Sequence, residues 1–94
     1  MSQAFPPTLH LKVITARRLL VDAEVDEVTL PGLDGQIGIL PGHRSLITGI
    51  GKGILAYRRT KREDQFAVQG GYAEIQPDAV LVFTELIDDE DETP

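Results

Sequence analysis

Apolar and polar residues alternate along most of this chain, and turn-forming residues interrupt the alternation about every 8–12 positions. Leu9, Leu11 and Val13 are separated by His10 and Lys12, and Ile37 and Ile39 flank Gly38. Phe66 and Val68, then Ala73 and Ile75, lie either side of Gly70-Gly71. Val80 and Val82 alternate with Leu81 and Phe83 after Pro77-Asp78. A period of two sends successive side chains to opposite faces, which a strand permits and a helix does not. Val25, Val28 and Leu30 sit among acids and run into Pro31-Gly32, which reads as a turn pair. Leu46 to Ile50 and Ile54 to Tyr57 are two further apolar segments, with Gly51-Lys52-Gly53 between them as a hairpin turn. No twelve-residue window carries an apolar stripe of helical period. The pattern predicts an all-β fold, either a sandwich or a small barrel.

Asn is absent, so the turns rest on Gly, Pro and Asp. Gly70-Gly71 fits either a two-residue hairpin loop or a bulge that bends one strand from one sheet to the next. A chain of 94 residues holds one core. With 41% hydrophobic and 26% charged residues it is neither disordered nor membrane-spanning by composition. Its longest apolar run, Ala79 to Phe83, is far short of the roughly 20 residues needed to cross a bilayer. Met1 to Pro7 lacks a basic region followed by an apolar stretch, so no secretory signal is visible and a cytoplasmic or otherwise internal location is expected. The absence of cysteine excludes disulfides, thiolate nucleophiles and thiolate metal sites. The net charge is −6, but Asp88, Asp89, Glu90, Asp91 and Glu92 carry most of it, leaving ten acids against nine bases elsewhere. The expected organisation is a β domain over residues 6–87 and a solvated acidic tail over 88–94.

The segment from Asp34 to His43 concentrates Gly35, Gly38, Pro41 and Gly42 around Ile37, Ile39 and Leu40. Pro41-Gly42 has the chemistry of a type II turn, with proline at the second position and positive φ at the third. The segment's ionisable groups are Asp34 and His43, at its two ends. It reads as a rigid surface loop suited to docking. A hydrolytic triad from Asp34, His43 and Ser45 would need nucleophile, base and orienting acid within hydrogen-bond reach, and nothing in the sequence places them so. Gly49-Ile50-Gly51-Lys52-Gly53 fails the phosphate-loop pattern on spacing, on the missing hydroxyl after Lys52 and on context. Asp22, Glu24 and Asp26 would line one solvated strand face, without the looped oxygen cage that calcium requires. Two histidines and no cysteine make zinc a poor fit. Arg58-Arg59-Thr60-Lys61-Arg62 is a basic hairpin tip offset by Glu63-Asp64, lacking the aromatic platforms of a nucleic-acid surface.

Two segments together resemble a known family. Gly35-Gln36-Ile37-Gly38-Ile39-Leu40-Pro41-Gly42-His43, followed by Leu46-Ile47-Thr48, is similar to a characteristic stretch of the epsilon subunits of F-type ATP synthases. So is Gln69-Gly70-Gly71-Tyr72-Ala73-Glu74-Ile75-Gln76-Pro77-Asp78-Ala79-Val80. The opening Leu9 to Thr15 falls at a matching interval, and the resemblance covers about residues 8–84.

The resemblance implies a two-sheet β-sandwich of about ten short strands with no catalytic residues and no cofactor of its own. It implies a rotor subunit that clasps the gamma subunit, sits on the c-ring and meets the catalytic alpha and beta subunits indirectly. Such a subunit is peripheral, on the cytoplasmic face of an energy-transducing membrane such as the bacterial inner membrane. By match to the family's ring-facing loop, Gln36 and His43, with Asp34 and Arg44 beside them, are expected to face the c-ring. Pro41, Gly42, Gly70 and Gly71 are expected to be structural turns. Three departures stand out. The family commonly continues into a helical hairpin that inhibits ATP hydrolysis, whereas this sequence runs into its acidic segment with no helical pattern, so neither inhibition nor ATP binding is expected. Arg44-Ser45 stands where many members carry a small residue and a proline, and Phe83-Thr84-Glu85 where they carry a Leu-Ala-Asp-like ending. The rival readings are a small β-sandwich enzyme or nucleotide-binding domain using His43 and the glycine-rich loops, and a free-standing β-sandwich adaptor.

Overall fold

The computed structural model describes residues 6–87. Eight strands follow in order: β1 (Leu9–Ile14), β2 (Leu19–Val25), β3 (Glu27–Gly32), β4 (Gly35–Ile39), β5 (Leu46–Gly49), β6 (Lys52–Arg59), β7 (Arg62–Gln76) and β8 (Ala79–Leu86). They form one hydrogen-bonded network in the order β2-β1-β8-β7-β6-β3-β4, with β5 also against β7. All pairs are antiparallel except β1 with β8.

The 15-residue strand β7 makes this one network into a sandwich. Its first half pairs with β6, Gln69 opposite Lys52, and its second half with β5, Tyr72 opposite Gly49. Between the halves the register against β8 shifts at Gln69/Tyr72, where Gly70 and Gly71 take φ of 76° and 96°. Ile50 N donates to Gly71 O at 3.0 Å, and Gly70 N to Gly51 O at 3.3 Å. The bulge thus bends β7 while Gly70 N and Gly71 O keep backbone partners. The bend folds the network onto itself, and the inward side chains of both layers meet in one core. Leu9, Leu11, Val13, Val80, Val82 and Ile75 come from one layer, and Val28, Leu30, Ile39, Leu55 and Val68 from the other. Each such burial stabilises the fold by about 1.5–3 kcal/mol.

Four details differ from the pattern read along the chain or resolve its alternatives. Gly70-Gly71 is the bulge, not a hairpin loop. Eight strands stand where about ten were expected, in part because this bulge bends β7 without ending it. Pro31-Gly32 is the end of β3, and the turn falls at Leu33-Asp34, because Pro31 and Gly32 pair with Gln36 and Gly35. Gly49 to Gly53 is not a hairpin turn. Strands β5 and β6 run one after the other along the same side of β7, and the glycines accept close neighbours. A Cβ on Gly53 would lie 2.8 Å from Pro31 Cβ, and one on Gly49 2.7 Å from Leu33 Cδ1. The basic segment does form a hairpin tip, with Arg59 opposite Arg62. Thr60 there takes φ of 57°, and its N–H donates to Asp26 Oδ2 at 2.7 Å. The acidic tail, 88–94, lies outside the described residues.

The two bulge glycines separate conformational cost from steric cost. A Cβ on Gly70 meets nothing within 4 Å, whereas one on Gly71 would lie 1.8 Å from Phe83 O. Gly70→Ala should lose about 1–2 kcal/mol, the cost of left-handed backbone alone. Gly71→Ala should lose more than about 3 kcal/mol or fail to fold, since backbone must move as well. Urea unfolding midpoints at constant m-value check the order.

Candidate functional site

The segment singled out in the sequence is held at both ends by the sandwich. At its start, the β3–β4 hairpin turns at Leu33-Asp34 and places Asp34 and Gln36 in solvent. The hairpin lies over the β7 bend: Gly51 N donates to Pro31 O at 2.7 Å, and Gly32 bridges Ile50. Ile39 is fully buried and Ile37 half-buried against the core, so β4 is anchored along its length. At its far end Pro41-Gly42 makes a turn of type II geometry, with Gly42 φ at 91° and His43 N donating to Leu40 O at 3.1 Å. Gly42 N also donates to Pro77 O at 2.8 Å, tying this turn to the β7–β8 turn.

Gln36 and His43 therefore lie toward opposite ends of β4. Three residues of extended strand from Gln36 to Ile39 already span about 10 Å. Asp34 stands with Gln36, and Arg44 with His43. His43 is half-buried, and its Nδ1 faces the Arg44 carbonyl oxygen at 2.7 Å, not a hydroxyl or a carboxylate. Asp34, at the other end of β4, is not its orienting acid. The geometry offers two rigid polar ends of one strand, suited to contact with an extended surface.

Sequence reasoning missed the apolar residues around this segment. Leu33 is 71% exposed, Ile47 70% and Leu40 55%. Leu33 covers Gly49, and Ile47 lies two residues along the same face of β5. The row continues by register from Gly49 to Tyr72, Phe83 and Ile14 across β7, β8 and β1. The Tyr72 and Phe83 rings lie 5.1 Å apart. These residues obey the same alternation as the core, so periodicity could not single them out. Only Leu33, an apolar residue at a hairpin tip, carried a local signal.

Residues 8–88 match the family described as ATP synthase, Delta/Epsilon chain, beta-sandwich domain. This chain belongs to that family. Among its relatives, the ATP synthase epsilon chain of Prochlorococcus marinus (strain MIT 9301) is 44% identical over 75 residues, covering 80% of this chain and 56% of that protein. The ATP synthase epsilon chain of Moorella thermoacetica is 37% identical over 86 residues, covering 90% and 64% respectively. The chain thus spans little more than half the length of the curated relatives it matches. A chain of the Euglena gracilis mitochondrial ATP synthase, in a cryo-EM structure of OSCP/F1/c-ring, superposes with TM-score 0.80 at 23% identity. The match covers 89% of this chain and 54% of that one. One from the central stalk/c-ring of the Tetrahymena thermophila mitochondrial enzyme superposes with TM-score 0.69 at 14% identity, covering 90% and 74%. At these identities the two structures establish the shared fold.

The family's segment is held by its turn and presented by its exposed polar residues, and the two roles separate by mutation. Gly42→Ala should lose about 1–2 kcal/mol, because its φ of 91° suits glycine. Gln36→Lys, at an exposed position, should change stability by no more than about 0.5 kcal/mol. Thermal or urea unfolding of both variants checks the contrast.

Proposed function

We propose that this chain is a non-catalytic rotor subunit of the central stalk of a proton-translocating F-type ATP synthase. In this reading it links the gamma subunit to the c-ring, meets the alpha and beta subunits indirectly, and couples proton flow to ATP synthesis. The observation that carries the reading is the family match over residues 8–88, nearly all of the described chain. It is supported by two relatives named ATP synthase epsilon chain and by a fold shared with chains of assemblies that include c-rings.

The physical form of the site supports the same reading. Torque transmission needs surfaces that do not yield when loaded, and both ends of β4 are hydrogen-bonded into the sandwich. Such preorganisation limits the entropy lost on docking. Exposed Leu33, Leu40 and Ile47 add apolar area beside the polar ends. Among the described residues no helix is long and apolar enough to cross a membrane. We place the subunit at the cytoplasmic face of the membrane, as a peripheral component held there by its partners. The rival reading as an enzyme or nucleotide-binding domain is weaker, because the glycines at 49 and 53 are accounted for by packing against Leu33 and Pro31.

Within this reading Gln36 and His43 face polar loops of the c-ring, with Asp34 and Arg44 flanking them. Gln36 both donates and accepts hydrogen bonds, and His43 can donate or accept. Replacing Gln36 and His43 with lysine or glutamate should lower ATP-driven proton pumping in membrane vesicles, while folding and gamma binding persist. Unchanged pumping and ring affinity in the double variant would move the ring contact to another edge. Failure of the wild-type chain to bind gamma would overturn the rotor assignment itself.

A further inference from the structure

We infer that His10, Asp22 and Glu24 form a pH-sensitive clamp that fastens the edge strand β2 to β1. His10 is the register partner of Glu24 across β1 and β2, and Asp22 lies two residues along the same face. The imidazole sits between the two carboxylates. Nδ1 is 2.7 Å from Glu24 Oε2, and Nε2 is 2.6 Å from Asp22 Oδ1. A carboxylate only accepts, and a neutral imidazole has one N–H and one lone pair. Both contacts can be hydrogen bonds only when the ring carries two protons. With one proton removed, a nitrogen lone pair faces a carboxylate oxygen at hydrogen-bond distance, and that side must open. Thr8 Oγ1 donates to Glu24 Oε1 at 2.6 Å and holds that carboxylate in place.

Other charges face the same ground without replacing these contacts. Lys12 follows on β1, opposite Asp22, and Glu74 of β7 lines a shallow groove of about 290 Å³ with His10, Lys12 and Leu81. Asp78, in the turn before β8, accepts from His10 N through its backbone oxygen at 2.9 Å. The two ring nitrogens point apart, and among the described residues no group of three His, Asp or Glu side chains is placed to hold a metal ion. The arrangement is a clamp, not an ion site.

The electrostatics set its window. The hydrogen bond to Glu24, then that to Asp22, raise the His10 pKa above its ordinary 6.5. The hydrogen bonds from Thr8 and His10 lower that of Glu24 below 4.5. The His10 contribution is fully present below pH 6.5 and is lost as pH rises through the raised value. The Glu24 contribution is present above pH 4.5 and is lost as pH falls through the lowered one. The clamp is therefore complete between these limits and opens on the alkaline side. Among the described residues strand β2 has β1 as its sole sheet neighbour, so its own pairing loosens while β8 and β7 stay paired.

Nitrogen-detected NMR titration of His10 in the full chain, with amide exchange along β2 and β8, tests the clamp. The ring should carry protons on both nitrogens at pH 6.5 and titrate above that value. Opening of β2, corrected for intrinsic exchange, should increase through the same midpoint while β8 stays protected. The Asp22→Asn, Glu24→Gln double variant should bring the midpoint back toward 6.5, and His10→Gln should flatten the β2 profile. A wild-type midpoint at or below 6.5, a singly protonated ring with both contacts kept, or a β2 profile indifferent to His10→Gln would overturn the proposal.

Discussion

The bend in β7 is the constraint on which the rest of the molecule depends. One strand of 15 residues must serve both layers, and it can do so only if the backbone turns at Gly70-Gly71. At Gly71 the Phe83 carbonyl of β8 comes so near that a Cβ would stand 1.8 Å from it. The close approach keeps β7 and β8 together through the register shift, and Thr84 Oγ1 donates to Gly70 O at 2.7 Å across the same corner. Because β8 also pairs with β1, the bend sets how the layer carrying Leu9, Leu11 and Val13 meets the layer carrying Val28 and Leu55. The apolar core that stabilises the domain is the product of that single corner.

The same corner positions the surface that carries the proposed role. Gly49 and Gly53, on the strands that follow β7 around the bend, let Leu33 and Pro31 lie close against them. The β3–β4 hairpin is thereby laid over the corner, and its exposed side chains inherit the rigidity of the sheet beneath. At the other end, the hydrogen bond from Gly42 N to Pro77 O ties the Pro41-Gly42 turn to a second fixed point. A docking element fixed at both ends can pass load between partners without folding energy being spent at each contact. The apolar row from Leu33 to Ile14 extends this surface across four strands.

Much of this was legible in the residues themselves. Alternation in Leu9–Val13 and Val80–Phe83 marked strands because side-chain direction in an extended chain depends only on the backbone. Gly71 and Gly42 were readable as special backbone positions for the same local reason. Pro31-Gly32 misled because a proline–glycine pair suits a turn by propensity, and only the pairing with Gln36 and Gly35 kept it in the strand. Gly49 to Gly53 misled in a related way, since a glycine needed for packing looks the same in sequence as one needed for a turn. Ile47 could not be told from a core residue, because exposure is a property of what lies opposite and not of the residue.

The sequence by itself determined an all-β chain, the positive φ of Gly42 in the Pro41-Gly42 turn, and membership of a family through the spacing of two motifs. These depend on local sterics and on the order of residues, which are complete before any layers meet. Tertiary structure alone decided that Gly70-Gly71 is a corner and not a hairpin, and that Gln36 and His43 lie toward opposite ends of β4. It also decided that His10 meets Asp22 and Glu24 in the geometry of an imidazolium. Each of these joins residues distant in the chain, and such contacts exist only once strand register and the meeting of the two layers have been set.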